Sequence, residues 1–360
     1  MKIALFTDLH YGTRNDSPVF YEYQKKTNTL FFDTLRNRGI TDIICLGDLY
    51  DRKKYVNYVT ANRARVDFLN IVENEFKMAI IAGNHDIFHK NHSEINALQE
   101  LVHGRFKNIE CVFTPQSKFY DNTEILLLPW INSANYDLTM NTIADTKAQI
   151  CFGHLELLGF EMDKGVINHD GQDSAIFSKF ELVASGHFHH KSTKGNINYL
   201  GAAYEFSWAD WNDPRGFTIF DTETKELEFI KSPYTMFNMI AYDDENNLNE
   251  LQHEIKSGDF SKYVDTYVRI VAVKKTNPYL FDQFLDKLYK AGPQDITVVE
   301  DASMFVEEGD AEAVNQGEDT MTILNKYIDG LKMDTDAPRV KEMMKQIYLE
   351  AISIKETHDT

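Results

Sequence analysis

Six short apolar runs punctuate the first 184 residues. They are Lys2-Ile3-Ala4-Leu5-Phe6, Ile43-Ile44-Cys45-Leu46, Met78-Ala79-Ile80-Ile81, Ile125-Leu126-Leu127-Leu128, Ile150-Cys151-Phe152 and Leu182-Val183-Ala184. Runs this short, apolar at every position rather than at alternate ones, predict strands covered on both faces. Between the first two, residues 18–38 read as a helix, with Phe20, Leu30, Phe31 and Leu35 turned inward and Gly39 as its stop. Strand, helix, strand is the rhythm of a layered α/β domain. Residues 216–233 then read as a hairpin, with strands at 217–220 and 227–230 and a turn at 221–224.

The layout changes near Pro233. Residues 234–299 read as a smaller α+β unit, with helices at 248–255 and 278–290 and strands at 263–273 and 296–299. Residues 300–319 carry eight acids and no Lys or Arg, which predicts a solvated linker. Two helices follow in 320–360. Pro338 suits the first position of the second. Beyond it Val340, Met343, Met344, Ile347, Tyr348, Ala351 and Ile352 recur at amphipathic helical spacing. The expected division is therefore 1–233, 234–299, 300–319 and 320–360, with no internal repeat.

Composition narrows the picture. A chain of 360 residues exceeds what one core usually organises, and 43% hydrophobic residues exclude a disordered polymer. Residues 1–7 read as a strand and not a signal peptide, and no apolar stretch approaches the ~20 residues that span a bilayer. A soluble, cytoplasmic protein is expected. Cys45, Cys111 and Cys151 lack CxxC spacing, so neither a disulfide framework nor a cysteine metal site is expected. The net charge of −19 argues against nucleic-acid binding by bulk electrostatics alone. It does not exclude a nuclease, because metal-ligating carboxylates are counted in it as bare charges. Arg14, Lys25, Lys26, Arg52, Lys53, Lys54, Arg63 and Arg65 lie in or near the candidate site loops, either as a basic patch or as ordinary solvated surface.

The chemistry sits just after the strands. Asp8-Leu9-His10 follows the first, Gly47-Asp48-Leu49-Tyr50-Asp51 the second and Gly83-Asn84-His85-Asp86 the third. Gly153-His154 follows the fifth, and Gly186-His187-Phe188-His189 the sixth. Ligands of open α/β sheets bind beyond the carboxyl ends of the strands, so these distant clusters can converge on one edge. Their donors are carboxylate, carboxamide and imidazole without thiolate, which suits Mn, Fe or Zn. A carboxylate such as Asp48 can bridge two cations, and such a pair can clamp a phosphate. Taken singly, each cluster could be an ordinary polar turn; the ordered set points to a metal site. His89, His92, His103, His169, His190, His253 and His358 lack this context and read as structural or surface residues.

Together, Asp8-x-His10, Gly47-Asp48, Gly83-Asn84-His85-Asp86, Gly153-His154 and Gly186-His187-x-His189 resemble the motif set of the calcineurin-like metallophosphoesterases. Residues 47–51, 153–159, 185–189 and 213–217 are similar to the SbcD-type (Mre-eleven-like) DNA repair nucleases, and most of all to the recombination nuclease subunits of T-even-like phages. The resemblance implies a four-layer α/β/β/α sandwich with a small capping domain and a C-terminal helical partner-binding segment. It implies two divalent cations, Mn²⁺ foremost. Asp8, His10, Asp48 and His189 would hold one, and Asp48, Asn84, His154 and His187 the other. A hydroxide between them would attack phosphorus. His85 would assist as a catalytic residue. Asp51 stands where some members have a second active-site histidine, and its role is left open.

The resemblance further implies an Mn-dependent nuclease, 3′-to-5′ exonuclease on duplex ends and endonuclease on single strands. Its setting would be double-strand break processing, recombination and repair. The implied partners are DNA, a second copy in a homodimer, and an SbcC-type coiled-coil ATPase docked through 320–355. The place of action would be the cytoplasm, that of the host cell if the chain is phage-encoded. Two alternatives share the residues. One is a metallophosphatase or small-molecule phosphodiesterase, which would not need the cap, linker and terminal helix. The other is an inactive scaffold of an ATPase complex, which would not need the full ligand set.

Overall fold

A computed structural model describes residues 1–300, so the helical segment expected at 320–360 and nearly all of the acidic linker lie outside the described residues. Six strands build the first sheet: β1 (Lys2–Phe6), β2 (Asp42–Cys45), β3 (Lys77–Ile81), β4 (Ile109–Val112), and later β11 (Gly216–Asp221) and β12 (Leu227–Lys231). Their order is β12-β11-β1-β2-β3-β4, parallel from β1 to β4 and antiparallel across the β11–β12 hairpin. The second sheet comprises β5 (Gln116–Tyr120), β6 (Thr123–Leu128), β7 (Ile150–His154), β8 (Leu182–Gly186), β9 (Ser192–Lys194) and β10 (Ile197–Tyr199), in the order β9-β10-β8-β7-β6-β5.

The two sheets pack face to face. Ile3, Leu5, Ile44, Ile81 and Phe220 meet Ile125, Leu127, Ile150 and Phe152 in one buried cluster. Side chains alternate along a strand, so Ala4, Phe6, Ile43, Cys45 and Ile80 point the other way. There they pack on Phe31, Phe32, Leu35, Phe68 and Val72 of the outer helices. On the far side Leu126, Leu128, Cys151 and Val183 pack on Ile143, Phe177 and Phe180. This is a four-layer α/β/β/α sandwich. Burial on both faces is why the strands are continuous apolar runs.

The helix Pro18–Arg38 follows its sequence signals. Ser17 precedes Pro18 at the first turn, and Gly39 ends the helix in the left-handed region at φ 63°. Phe20, Phe31 and Leu35 are buried as expected, whereas Leu30 is half-buried and Phe32 takes the deeper place. The same face buries Gln24 and Asn28, whose amides donate to Leu9 O and Tyr11 Oη. Polar residues on that face thus brace the loop after β1.

Residues 237–300 form a third sheet of β13 (Phe237–Asp243), β14 (Tyr267–Lys274) and β15 (Asp295–Glu300), all parallel. Helices Leu248–Ser257 and Pro278–Ala291 make the crossovers and enclose Tyr242, Val268, Ile270, Phe281 and Phe284. Strands and helices therefore alternate, because Phe237–Asp243 is a strand that the sequence pattern did not mark. The middle strand starts at Tyr267 and not at 263, since Ser261–Tyr263 is a single 3₁₀ turn and Asp265 is left-handed at φ 58°. None of the helices described is long and apolar enough to cross a membrane.

Candidate metal centre

The carboxyl ends of both large sheets meet at one edge, in a crevice whose floor is the buried Asp8, His10, Asp48 and His154 and whose rim is the partly exposed Asn84, His85, His187 and His189. Register fixes what arrives there. Phe6 pairs with Cys45 and Cys45 with Ile80, so Asp8, His10, Asp48 and Asn84 leave adjacent strands at one level. Gly186 pairs with His154, so β7 and β8 deliver His154, His187 and His189 side by side.

The turns that aim these side chains are strained. Asp8 (φ 54°), His10 (φ 45°), Asp48 (φ 55°) and His187 (φ 85°) all sit in the left-handed region, at a cost of order 1–3 kcal/mol each. The surroundings hold them there. Asp8 N donates to Gly47 O at 3.1 Å and His10 N to Asp48 O at 3.0 Å. Leu9 O accepts from Tyr204 Oη at 2.8 Å. The buried Asp86 carboxylate accepts from Asp48 N at 2.9 Å, Gly83 N at 3.0 Å and Tyr50 N at 3.2 Å. A side chain at position 83 would collide with the Asp48 carboxylate and lie 2.5 Å from its backbone nitrogen, so only glycine fits.

Three groups of donor atoms result, each lying within 4.8 Å of one another: Asp8, His10 and His189; Asp48, His154 and His187; and His10, Asp51 and His85. His10 Nε2 is 3.2 Å from His189 Nε2. Asp8 Oδ1 lies 3.8 and 3.9 Å from those two nitrogens. Asp48 Oδ2 stands between the first two groups, 3.7 Å from His10 Nε2 and 3.3 Å from His154 Nε2. Asn84 Oδ1 is 2.9 Å from His154 Nε2. All seven residues expected as ligands thus meet in one crevice.

Backbone carbonyls orient two of the rings. His154 Nδ1 donates to Leu46 O at 2.7 Å and His85 Nδ1 to Asp51 O at 2.5 Å, which turns each Nε2 the other way. His85 N also donates to Asp48 Oδ1 at 2.8 Å. The Asp51 carboxylate lies behind His10, with Oδ1 3.5 Å from His10 Nδ1.

Among the described residues no Lys or Arg forms an ion pair with Asp8 or Asp48; their partners are imidazoles. Burial alone would raise the Asp48 carboxyl, yet His154, His10 and His85 hold it well below the usual range. Burial likewise opposes protonation of His10, but Asp51, Asp8 and Asp48 push it up to about 10. His154 is driven to about 9, with Asp48 overcoming burial. Burial holds His187 down at about 3, helped by His154, and His189 at about 4, helped by His10. With no Lys or Arg beside them among the described residues, these buried carboxylates draw protons onto His10 and His154, so protons stand where divalent cations would otherwise supply the positive charge. The oxygen and nitrogen donors fit a pair of divalent cations, with Asp48 placed to serve both.

Several residues around the crevice carried no clear sign in the sequence. Trp130 packs on His187, ring centroids 4.9 Å apart, and Phe206 packs on both His10 (5.1 Å) and His189 (4.9 Å). Trp130 follows β6 at its carboxyl end, so its position was the available signal; Phe206 follows no strand and offered none. Of the basic residues, Arg14 donates to Phe206 O and Arg52 to Asn15 and Tyr55, while Arg63 lies over the Tyr21 ring and joins two helices. Lys53 remains exposed, near enough to His85 for its charge to help lower that imidazole, whose main cause of lowering is burial.

Comparison with known proteins agrees with this geometry. Residues 1–191 match the family model described as calcineurin-like phosphoesterase. "Exonuclease subunit 1" of Enterobacteria phage T4 is 29% identical over 354 residues, covering 98% of this chain and 99% of that protein. The D component of the SbcCD nuclease of Staphylococcus saprophyticus is 24% identical over 256 residues, covering 63% of this chain and 67% of that protein. Its counterpart from Staphylococcus epidermidis is 24% identical over 266 residues, with the same coverage.

Proposed function

The chain belongs to the calcineurin-like phosphoesterase family, and from that premise we propose that it is an Mn²⁺-dependent DNA nuclease of the SbcD type. It degrades duplex ends 3′ to 5′ and cuts single strands, in the service of double-strand break processing. The observation that carries the reading is similarity along 98% of the chain to a phage exonuclease component, combined with the carboxylate and imidazole groups that Asp8, His10, Asp48, His154, His187 and His189 bring together, with Asn84 beside His154.

In this reading Asp8, His10, Asp48 and His189 hold one cation, and Asp48, Asn84, His154 and His187 the other. Bound cations would supply charge withdrawal from the phosphate and a water acidified enough to attack at neutral pH. The chain's own groups do the rest. Asp48 fixes the spacing of the two halves. His85, anchored through Nδ1, presents Nε2 toward the scissile phosphate, to stabilise charge or protonate the leaving oxygen. Asp51 acts by position, its carboxylate behind His10 and its carbonyl behind His85.

Residues 1–233 act as the nuclease domain and 234–299 as a cap. Residues 320–355, beyond an acidic linker, dock a coiled-coil ATPase; that the relatives are named as parts of multi-subunit nucleases supports a partner of some kind. A homodimer is supported by exposed apolar side chains at Tyr55, Phe88 and Ile95, which line a cavity of about 190 Å³. The place of action is the cytoplasm, that of the host cell if the gene is a phage's.

The test incubates the purified chain with Mn²⁺ and end-labelled linear duplex DNA. A generic phosphodiester, a phosphopeptide and Asp48→Asn run in parallel. Metal-dependent shortening of DNA that Asp48→Asn abolishes is the expected result. Turnover of the phosphopeptide with DNA untouched, even after addition of the ATPase partner, would overturn it in favour of a phosphatase.

A further inference from the structure

The two halves of the metal centre are supported by different parts of the chain. His154 and His187 lean on Leu46 O and on the Trp130 ring. His10 and His189 share one apolar wall, the Phe206 ring, which lies against both imidazoles. The segment carrying Phe206 closes on itself. Asp210 Oδ2 accepts from Phe206 N at 2.6 Å and from Ser207 N at 2.8 Å. Arg215 donates to Asp210 Oδ1 at 2.5 Å and lies 3.0 Å from Asp213 Oδ2. The same guanidinium also donates to His189 O, the backbone of the metal-site histidine itself. Arg14 donates to Phe206 O at 2.8 Å.

A closed circuit therefore runs from His189 O through Arg215 and Asp210 to Phe206, and from the Phe206 ring back to His189. Arg215, Asp210 and Asp213 are all nearly inaccessible, so this ion network cannot be exchanged for water at little cost. Nothing in the segment touches His154 or His187 among the contacts of the described residues.

We infer that residues 205–215 are a brace dedicated to the Asp8–His10–His189 half of the centre, with Phe206 and Arg215 as positioning residues that set the affinity of that half alone. The inference rests on the two-cation reading above. Arginine is required at 215 because three acceptors at different angles need a planar fork, which a lysine ammonium on a flexible stem cannot match. An aromatic ring is required at 206 because it must span two imidazoles at once.

The experiment uses the full chain and Mn²⁺ alone, without substrate. Equilibrium dialysis counts bound ions, and electron paramagnetic resonance separates a spin-coupled pair from an isolated six-line ion. The wild type is expected to bind two coupled ions. Phe206→Leu and Arg215→Lys are expected to keep one tight ion with a six-line spectrum and to bind the second about 10- to 100-fold more weakly, the usual effect of losing a ligand's support. Phe206→Tyr keeps the ring and should retain the coupled pair. Should Arg215→Lys fail to fold by circular dichroism, Phe206→Leu decides. Equal weakening of both ions, or two unaltered ions in folded Phe206→Leu, overturns the inference while leaving the two-cation reading intact. A wild type that binds fewer than two ions refutes that reading and the inference with it.

Discussion

Asp86 contributes no ligand in the proposed assignment, yet changing it should cost both stability and metal. Its carboxylate is 1% exposed and takes three backbone N–H groups. Asp48 N and Gly83 N converge on Oδ2, and Tyr50 N reaches Oδ1. These bonds tie the loop bearing Asp48 to the loop bearing Asn84. Asp86→Ala leaves three donors buried with no acceptor. At about 1–3 kcal/mol each, with some relief from water entering the space, the loss should be about 3–6 kcal/mol. Asp86→Asn is the sharper probe. Its one carbonyl oxygen can keep the Asp48 and Gly83 bonds, but the new NH₂ then faces Tyr50 N–H, donor against donor, for about 1–3 kcal/mol. An opposing effect exists: burial and the nearby Asp48 charge push the Asp86 carboxyl up to about 7, so a neutral amide relieves some repulsion. In the proposed assignment bound cations would neutralise Asp48, so the lost hydrogen bond is expected to win. The assay is urea unfolding of the Mn²⁺-loaded chain, read as a shift in midpoint at constant slope, with Mn²⁺ affinity measured alongside. An Asn variant as stable as the wild type, with unchanged metal affinity, would refute the account of Asp86 as the tie between the two loops.

Other changes have distinct signatures. His85→Gln should slow DNA hydrolysis about 10²- to 10⁴-fold at saturating metal with both ions still bound, as expected of a general acid; parallel loss of metal would reassign His85 to ligation. Glu205 is buried at 4% exposure, and burial pushes its carboxyl from 4.5 to about 7, against the N–H groups of Met236 and Phe237 that it accepts. The folded state thus keeps a proton that the unfolded state has lost, and stability falls as pH rises from about 4.5 to 7. Glu205→Gln should remove up to about 3 kcal/mol of that decline, measured by unfolding at pH 5 and pH 8. Phe152→Ala, at 0% exposure with Phe220 5.1 Å away, should cost about 3–5 kcal/mol in thermal or urea unfolding.

The strands that were legible in the sequence were those buried on both faces. Lys2–Phe6 and Ile150–His154 have no solvent side to interrupt the apolar run, so their pattern survives without context. Gln116–Tyr120, Ser192–Lys194 and Ile197–Tyr199 lie at or beside a sheet edge, carry polar residues, and left no such mark. The helix Tyr136–Asp145 was missed for a related reason, since only Thr139 and Ile143 are buried along it. The donor residues were legible because they follow strands directly, where parallel topology gathers polar side chains. The residues that support them were not, because Phe206 and Asp210 reach the site through a long irregular segment whose path no local pattern encodes, and Arg215, although it lies in the 213–217 motif, gave no sign there that it reaches His189. Likewise nothing in the sequence pattern marked Gln24 and Asn28, polar residues that face inward and hold the loop after β1.

The architecture also explains how a precise centre is assembled from residues about 180 positions apart, as His10 and His189 are. Asp8, His10, Asp48 and Asn84 come from one sheet and His154, His187 and His189 from the other, so the separation of the two donor sets depends on the distance between the sheets. Side chains that interdigitate at crystal-like density fix that distance far better than a loop could. Ile3, Leu5, Ile44, Leu127 and Phe152, each fully buried between the sheets, are thus part of the metal centre in a mechanical sense. The left-handed turns at Asp8, Asp48 and His187 are tolerable for the same reason, because the strands feeding them cannot relax without opening that interface. Where one side chain must cross the gap, space is reserved for it: a Cβ on Gly186 would strike Thr7 Oγ1 and come within 3.0 Å of Asp8 Oδ2 from the opposing sheet. Metal affinity and inter-sheet packing are on this view one property of the fold, read out at its edge.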